Sequence, residues 1–273
     1  MATVSLSHRA LLMIGGADAP DFLQRILTAD LAALDETTAH PCALLSPQGK
    51  VLHEFLVSRD ADRFRIDVSR AFLPDLGRRL MLFRLHAEVT FEPLPSAPVR
   101  AVWSEAAPFR DARFGDGTGR AYDVASDTGT LDGWTAHRIA AGVAELGTDY
   151  GPDDLFPHDV GLAANAGVAV RKGCYVGQEV VSRMHHRGTG RRRVAIVRSD
   201  IALPSPGAPM TADGKALGTL GGTLAQAGLA VVRIDRASEA IAAARPIMAG
   251  DVPVALEPAP GADWSLDRPA LAT

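Results

Sequence analysis

The sequence predicts an α+β protein that ends in a small β-barrel, and three patterns carry the prediction. Between residues 9 and 91 the apolar spacing changes in the order strand, helix, strands, helix, strand, as in a sheet covered on one face by helices. Three prolines, Pro93, Pro95 and Pro98, close that stretch. After Arg193 the chain breaks into short apolar pieces separated by Asp213-Gly214 and Gly221-Gly222, the texture of closely spaced strands. On this division residues 1–95 form an N-terminal α+β unit, 96–190 a middle α+β unit, 191–257 a C-terminal barrel and 258–273 a loosely held tail.

Taken in order, Arg9 to Ile14 reads as a strand closed by Gly15-Gly16. Asp18 is placed to cap a helix whose apolar face is Ala19, Phe22, Leu23, Ile26 and Leu27. Cys42 to Leu45 and Val51 to Val57 are two strands joined by the turn Ser46-Pro47-Gln48-Gly49. A third strand, Arg63 to Val68, follows the polar turn 59–62. A helix over 73–85 tolerates Pro74 in its first turn and points Leu73, Leu76, Leu80 and Phe83 inward. Ala87 to Phe91 returns as a strand.

The middle section opens with a strand at Val99 to Trp103 and is then rich in glycine, aspartate and proline, with a weak strand near Ala121 to Val124. Thr135 is a cap for a helix to Leu146, stopped by Gly147. The next helix carries the most informative stretch, Arg171-Lys172-Gly173-Cys174-Tyr175-Val176-Gly177-Gln178-Glu179. Val176, Val180, Val181 and Met184 form one helical stripe, with Cys174 in the first turn and His185, His186 and Arg187 in the last, before Gly188. A thiol at a helix start with Lys172 two residues away is biased toward thiolate. Val194 to Val197, the pieces between Met210 and Ile234, and Val252 to Leu256 are the barrel strands, and Asp235 caps a short alanine-rich helix between them.

The chain of 273 residues is 47% hydrophobic and 22% charged, which suits a soluble globular protein of two or three domains. A net charge of −4 predicts no general attraction to nucleic acid or membrane. Residues 171–193 depart from that balance, with seven basic side chains against the single acid Glu179, a net of +6. Two readings stay open for this run: a seat for an anionic small molecule, or a solvated basic face. It lacks the interleaved aromatics of a nucleic-acid site. Cys42 and Cys174 stand 132 positions apart, with neither disulfide-framework nor zinc spacing, so a reducing, cytoplasmic setting is the expectation. No secretion signal or membrane span is expected, and neither a P-loop nor a Gly-x-Ser-x-Gly elbow occurs.

Lys-Gly-Cys-Tyr-x-Gly-Gln-Glu, at Lys172 to Glu179, resembles the hallmark of YgfZ-type folate-binding proteins. These are bacterial relatives of a mitochondrial iron–sulfur assembly factor and of the glycine cleavage aminomethyltransferase (T-protein). The likeness extends in order along the chain. Leu23-Gln24 with Thr28 and Asp30 resembles the family's early segment, and Leu44 to Lys50 its hairpin. His137-Arg138-Ile139-Ala140 and Phe156-Pro157-His158-Asp159 resemble the segments before the hallmark. Asp159 stands where relatives commonly carry glutamate and Gly161 where asparagine is usual, while His53-Glu54 replaces the transferase's adjacent aspartates.

The resemblance implies an aminomethyltransferase-like cloverleaf: two α+β (ferredoxin-like) units and a C-terminal β-barrel around a central cavity that accepts tetrahydrofolate or a one-carbon derivative. It implies folate-dependent support of the assembly or repair of iron–sulfur proteins, with those proteins or their assembly factors as partners. A folate-dependent one-carbon transferase, and a scaffold with a vestigial folate pocket, are the alternatives. Cys174 is the expected functional thiol, as nucleophile, ligand or redox contact. Asp159, Lys172, Tyr175, Arg183 and Glu54 are the expected cofactor-binding residues. Asp159 would meet the pterin, and Lys172 and Arg183 the glutamate tail. For Arg183 an i,i+4 pair with Glu179 is an equal reading. Tyr175 either stacks on a pterin or fills an interface. Cys42, on a plain strand, reads as core. No metal site is expected, because adjacent helical histidines diverge by about 100° and Cys174 lies about three turns away.

Overall fold

The computed structural model describes residues 2–188 and 190–266, and these divide into two compact units. One comprises residues 1–134 with 165–182, the other residues 135–164 with 183–273.

The first unit is built on nine strands: β1 (Ala2–Ser5), β2 (Arg9–Gly15), β3 (Thr38–Leu45), β4 (Val51–Asp60), β5 (Arg63–Ser69), β6 (Thr90–Leu94), β7 (Arg100–Trp103), β8 (Phe109–Asp111) and β9 (Gly119–Ala121). Their order in the sheet is β1-β7-β9-β8-β3-β4-β5-β2-β6. Pro93 is tolerated because β6 is an edge strand. The proline cluster is a crossover rather than an end of the sheet, since β7 goes on to pair with β1.

Side chains alternate across these strands. Ala10, Leu12, Ile14, Cys42, Leu44, Phe55, Val57, Phe64, Ile66 and Val68 fall on one face, and there α1 (Ala19–Ile26) and α2 (Leu73–Arg84) cover them. Leu73, Leu76 and Leu80 point into this core, but Phe83, expected inward, is 40% exposed near the end of α2. Asp18 does not cap α1 through its side chain. Its carboxylate accepts instead from the Glu88 N–H at 2.7 Å, tying the helix start to the approach to β6.

The second face sets buried charges among apolar side chains such as Leu11, Met13 and Leu56. Arg9 Nε donates to Asp67 at 2.7 Å, Arg120 Nε reaches the same carboxylate at 3.2 Å, and Arg113 grips Asp111 with two nitrogens at 3.0 and 2.8 Å. Arg113 also donates to Glu54 at 3.1 Å. Arg9, Arg113 and Arg120 thus oppose Glu54, Asp67 and Asp111, all buried or nearly so. Burial alone would raise the Asp111 carboxyl, but Arg113 and Arg120 outweigh it and hold the group below the ordinary range.

α3 (Leu131–Ala140) begins five residues earlier than the cap at Thr135 implies. Thr130 Oγ1 takes the Gly133 N–H and is the residue that caps it. α4 (Gln178–Arg187) carries the second half of the hallmark.

The second unit holds the barrel: β10 (Arg192–Arg198), β11 (Pro209–Ala212), β12 (Lys215–Leu224), β13 (Ala227–Arg233), β14 (Ile247–Ala249) and β15 (Val252–Pro258), closed in the order β10-β13-β12-β11-β14-β15. α5 (Ile234–Ala242) packs Ala237 and Ala240 on its core. Leu266 is buried in the same core and Trp264 packs against it, so the segment after β15 is held to the barrel as far as it is described. Residues 267–273 of the expected tail lie outside the described residues. The 147–155 loop is locked to the barrel by Asp149. One carboxylate oxygen accepts from Arg138 at 2.5 Å and from the Glu145 N–H at 2.7 Å, the other from the Gly222 N–H at 2.8 Å.

Candidate functional site

The hallmark loop is assembled against the β3–β4 hairpin by backbone contact. Gly49 and Gly177 both adopt left-handed φ, +81° and +80°. A Cβ on Gly177 would lie 2.6 Å from the Ser46 carbonyl oxygen and 2.9 Å from the Gly49 Cα, so only glycine permits this approach. The hairpin is itself closed by Ser46 N–H to Lys50 O at 2.8 Å and Gly49 N–H to Ser46 O at 2.8 Å. Gly173, by contrast, has open space where a Cβ would stand.

The other anchor is the segment after α1. Thr28 Oγ1 donates to Gly167 O at 2.7 Å, accepts from Ala43 N–H at 2.9 Å, and the Thr28 carbonyl takes the Ala169 N–H at 2.9 Å. Lys172 then sends its ammonium back to the same segment, donating to Leu27 O at 2.6 Å and Ala29 O at 2.7 Å. It lies 5.1 Å from the Tyr175 ring centroid, within cation–π range. Burial lowers the Lys172 ammonium to about 8, with the nearby Cys42 and Asp30 pulling the other way. Tyr175 is 6% exposed, its hydroxyl pushed up to about 12 by burial, and its Oη has no hydrogen-bond partner among the described residues.

Cys174 is exposed on this loop. It does not lie in the first turn of a helix: α4 starts at Gln178, four residues later, because the left-handed Gly177 cannot be continued backward as helix. Nor is Lys172 directed at the thiol, since its ammonium is held by Leu27 and Ala29. What presents Cys174 is a loop pinned on one side by Lys172 and on the other by Gly177. Cys42, by contrast, is wholly buried in the core beneath α1, with its thiol pushed up by burial.

Glu54 and His53, neighbours on β4, point to opposite faces. Glu54 is 7% exposed and bonded to Arg113, inside the buried ionic face described above. His53 Nε2 meets Asp75 Oδ2 of α2 at 2.9 Å. Nothing in composition flagged this network. The signal available was charged residues at alternate positions in otherwise apolar strands, Arg9 before Leu11 and Met13, and Asp67 between Ile66 and Val68.

Asp159 and Arg183 belong to the second unit. Asp159 is 4% exposed, and its Oδ2 accepts from the Phe156 N–H at 3.0 Å in a short turn. Burial raises its carboxyl above the ordinary range, against the Phe156 bond and the charges of Arg193 and Arg192. Gly161, two residues on, has φ +79°, a conformation that glycine and asparagine tolerate best. His158 is packed with both ring nitrogens buried and unpartnered among the described residues, its ring centroid 6.1 Å from that of His185. Arg183 is an exposed residue of α4. Among the described residues no group of three His, Cys, Asp or Glu side chains is arranged to hold a metal ion, and no helix is long and apolar enough to cross a membrane.

Residues 191–263, the barrel, match the family described as CAF17, C-terminal beta-barrel domain. The aminomethyltransferase T of the glycine cleavage system from Bartonella henselae superposes with a TM-score of 0.75, at 17% identity, over 94% of this chain and 85% of that one. It shares the α+β architecture with a closed barrel. The iron-sulfur cluster assembly factor IBA57 homolog of Mycosarcoma maydis is 31% identical over 219 residues, covering 68% of this chain but only 54% of that protein. The chain therefore spans about half the length of that relative. Mitochondrial IBA57 of Mus musculus and of Homo sapiens are each 30% identical, the alignments covering 84% and 85% of this chain and 76% and 77% of theirs. The hallmark on its doubly anchored loop, the barrel and these identities together place the chain in the family of IBA57-type iron–sulfur cluster assembly factors.

Proposed function

We propose that this protein supports the assembly or repair of iron–sulfur proteins through Cys174, and that it binds a reduced folate with Asp159 as the pterin-recognising carboxylate. The observation that carries the reading is the exposed Cys174 on a loop pinned by Lys172 and Gly177. A thiol held at the surface by backbone anchors is available to a cluster or a partner, whereas a structural cysteine is buried as Cys42 is. The cluster is cargo here, and a lone thiol supplies one ligand, leaving the others to the client or donor protein.

For folate, the donor set fits. Asp159 keeps Oδ1 without a hydrogen-bond partner among the described residues, and a carboxylate there accepts from a pterin amino group and ring N–H. Burial in a low-dielectric setting strengthens such bonds. Bound folate would supply one-carbon or redox chemistry, and the protein's residues orient it. A one-carbon transferase would need a carboxylate at Glu54 for the reacting amine, and that carboxylate is engaged by Arg113. The membership of the YgfZ-type, folate-binding subgroup rests on the hallmark residues 172–179.

Two measurements test the reading. Calorimetry with tetrahydrofolate should show binding by the wild type and at least a tenfold loss in Asp159→Ala, and silence from the wild type would defeat the folate part. In cells lacking the native protein, Cys174→Ala should accumulate as folded protein yet fail to restore iron–sulfur enzyme activity. Full restoration would remove the thiol from the mechanism.

A further inference from the structure

The second unit contains a recess of about 520 Å³ between the 149–155 loop, the strands β12 and β13 and the start of α5. That volume lies in the range of small-molecule sites, roughly 300–1,000 Å³. Its walls are apolar at Leu155, Leu217 and Val231, and three arginines, Arg192, Arg233 and Arg236, line it as well.

The placement of these arginines costs stability locally. Arg192 on β10 and Arg233 on β13 are direct cross-strand partners in the barrel. Like charges directly opposite each other destabilise a sheet by a few tenths of a kcal/mol or more. Arg233 is offset by Asp235, which it grips with two nitrogens. Arg192 has one ion pair among the described residues, with the exposed carboxylate of Asp154 3.6 Å away. Arg236 donates to the Ala216 carbonyl at 2.7 Å and pairs with no carboxylate among the described residues. Asp149 also lines the recess, but both its oxygens are committed to Arg138, Glu145 and Gly222. Arg192, Arg233 and Arg236 thus face Asp154 and Asp235, with Asp159 near enough to Arg192 to feel its charge, and Arg191 adds charge beside Asp235. A local cost without a structural return is the mark of a site kept for a ligand.

We propose that this recess binds a small polyanion carrying phosphate or carboxylate groups. Guanidinium forks match both groups in two-point geometry, which a lysine-lined recess would not. The inference is independent of the folate reading, since it uses none of Cys174, Tyr175 or Asp159 and needs no pterin. It also chooses between the two readings of the basic run 171–193: Arg192, at least, faces a concavity rather than bulk solvent alone.

The 273-residue chain is titrated with sodium pyrophosphate and, separately, with sodium citrate, at constant ionic strength, by calorimetry and by thermal unfolding. One of the two should bind with unit stoichiometry and raise the Tm. The Arg192→Gln/Arg236→Gln double variant should lose at least tenfold in affinity while unfolding as cooperatively as the wild type. Arg198→Gln, which removes an exposed arginine of β10 that does not line the recess, should bind as the wild type does. Pyrophosphate binding alone assigns a phosphate ligand and citrate binding alone a carboxylate ligand. No saturable binding of either up to about 10 mM, a millimolar limit being the weakest affinity of interest, overturns the proposal. Equal binding by the double variant overturns it as well.

Discussion

Gly177 stands over Gly49 with backbone against backbone, its would-be Cβ 2.9 Å from the Gly49 Cα. Two left-handed glycines, 128 positions apart in sequence, therefore decide where the Cys174 loop is held. Gly177→Ala should destabilise the protein by at least about 2 kcal/mol, combining a left-handed alanine at about 1–2 kcal/mol with a backbone clash. Gly173→Ala, with open space around it, should stay within about 0.5 kcal/mol. Urea unfolding of the two variants side by side checks the contrast.

The accessibility of the two thiols differs in the same sense. A maleimide should modify Cys174 stoichiometrically in the native protein and leave Cys42 untouched until denaturant is added, as read by intact mass. Labelling of Cys42 under native conditions at the rate of Cys174 would contradict the core position beneath α1.

The ionic face of the sheet predicts a large asymmetric penalty. Arg113→Met strips compensation from Glu54 and Asp111 together and should cost about 3–5 kcal/mol, as for other buried pairs broken from one side. Thermal unfolding measures it. The double change Arg113→Met, Glu54→Leu should recover part of that loss, because Arg9 and Arg120 then face Asp67 and Asp111 with no buried charge in excess.

His158 makes stability depend on acidity. Burial, then Arg193 and His185, lower its imidazole from 6.5 to about 4. Between these values the unfolded chain binds a proton that the folded one does not, so stability is full above pH 6.5 and falls as pH drops toward 4. The loss is on the order of 1–3 kcal/mol. His158→Gln should flatten the denaturation midpoint across that window, whatever it does at pH 7.

Much of the first unit was legible in the chain because alternation and helical spacing report directly on burial. β2, β5, α1 and α2 follow their apolar positions, and the closed barrel follows the short strands after Arg193. The boundaries that failed did so where a second partner intervened. Asp18 looked like a cap, but the Glu88 N–H claimed its carboxylate. Phe83 had helical spacing, but it falls near the end of α2, past the last core contact at Leu80. Cys174 looked like the head of a helix, but Gly177 turns left-handed to meet the hairpin.

The sequence by itself determined which residues are apolar at which period, and hence the elements, and its identity with IBA57 over most of its length shows the family. Only the tertiary structure decided what each polar group does. Lys172 binds the carbonyls of Leu27 and Ala29, Glu54 belongs to Arg113, and Asp149 ties Arg138 to Gly222. The reason is physical: burial of apolar surface is non-directional and needs only a pattern, whereas a buried charge or N–H requires one particular partner, brought by the fold from a distant part of the chain.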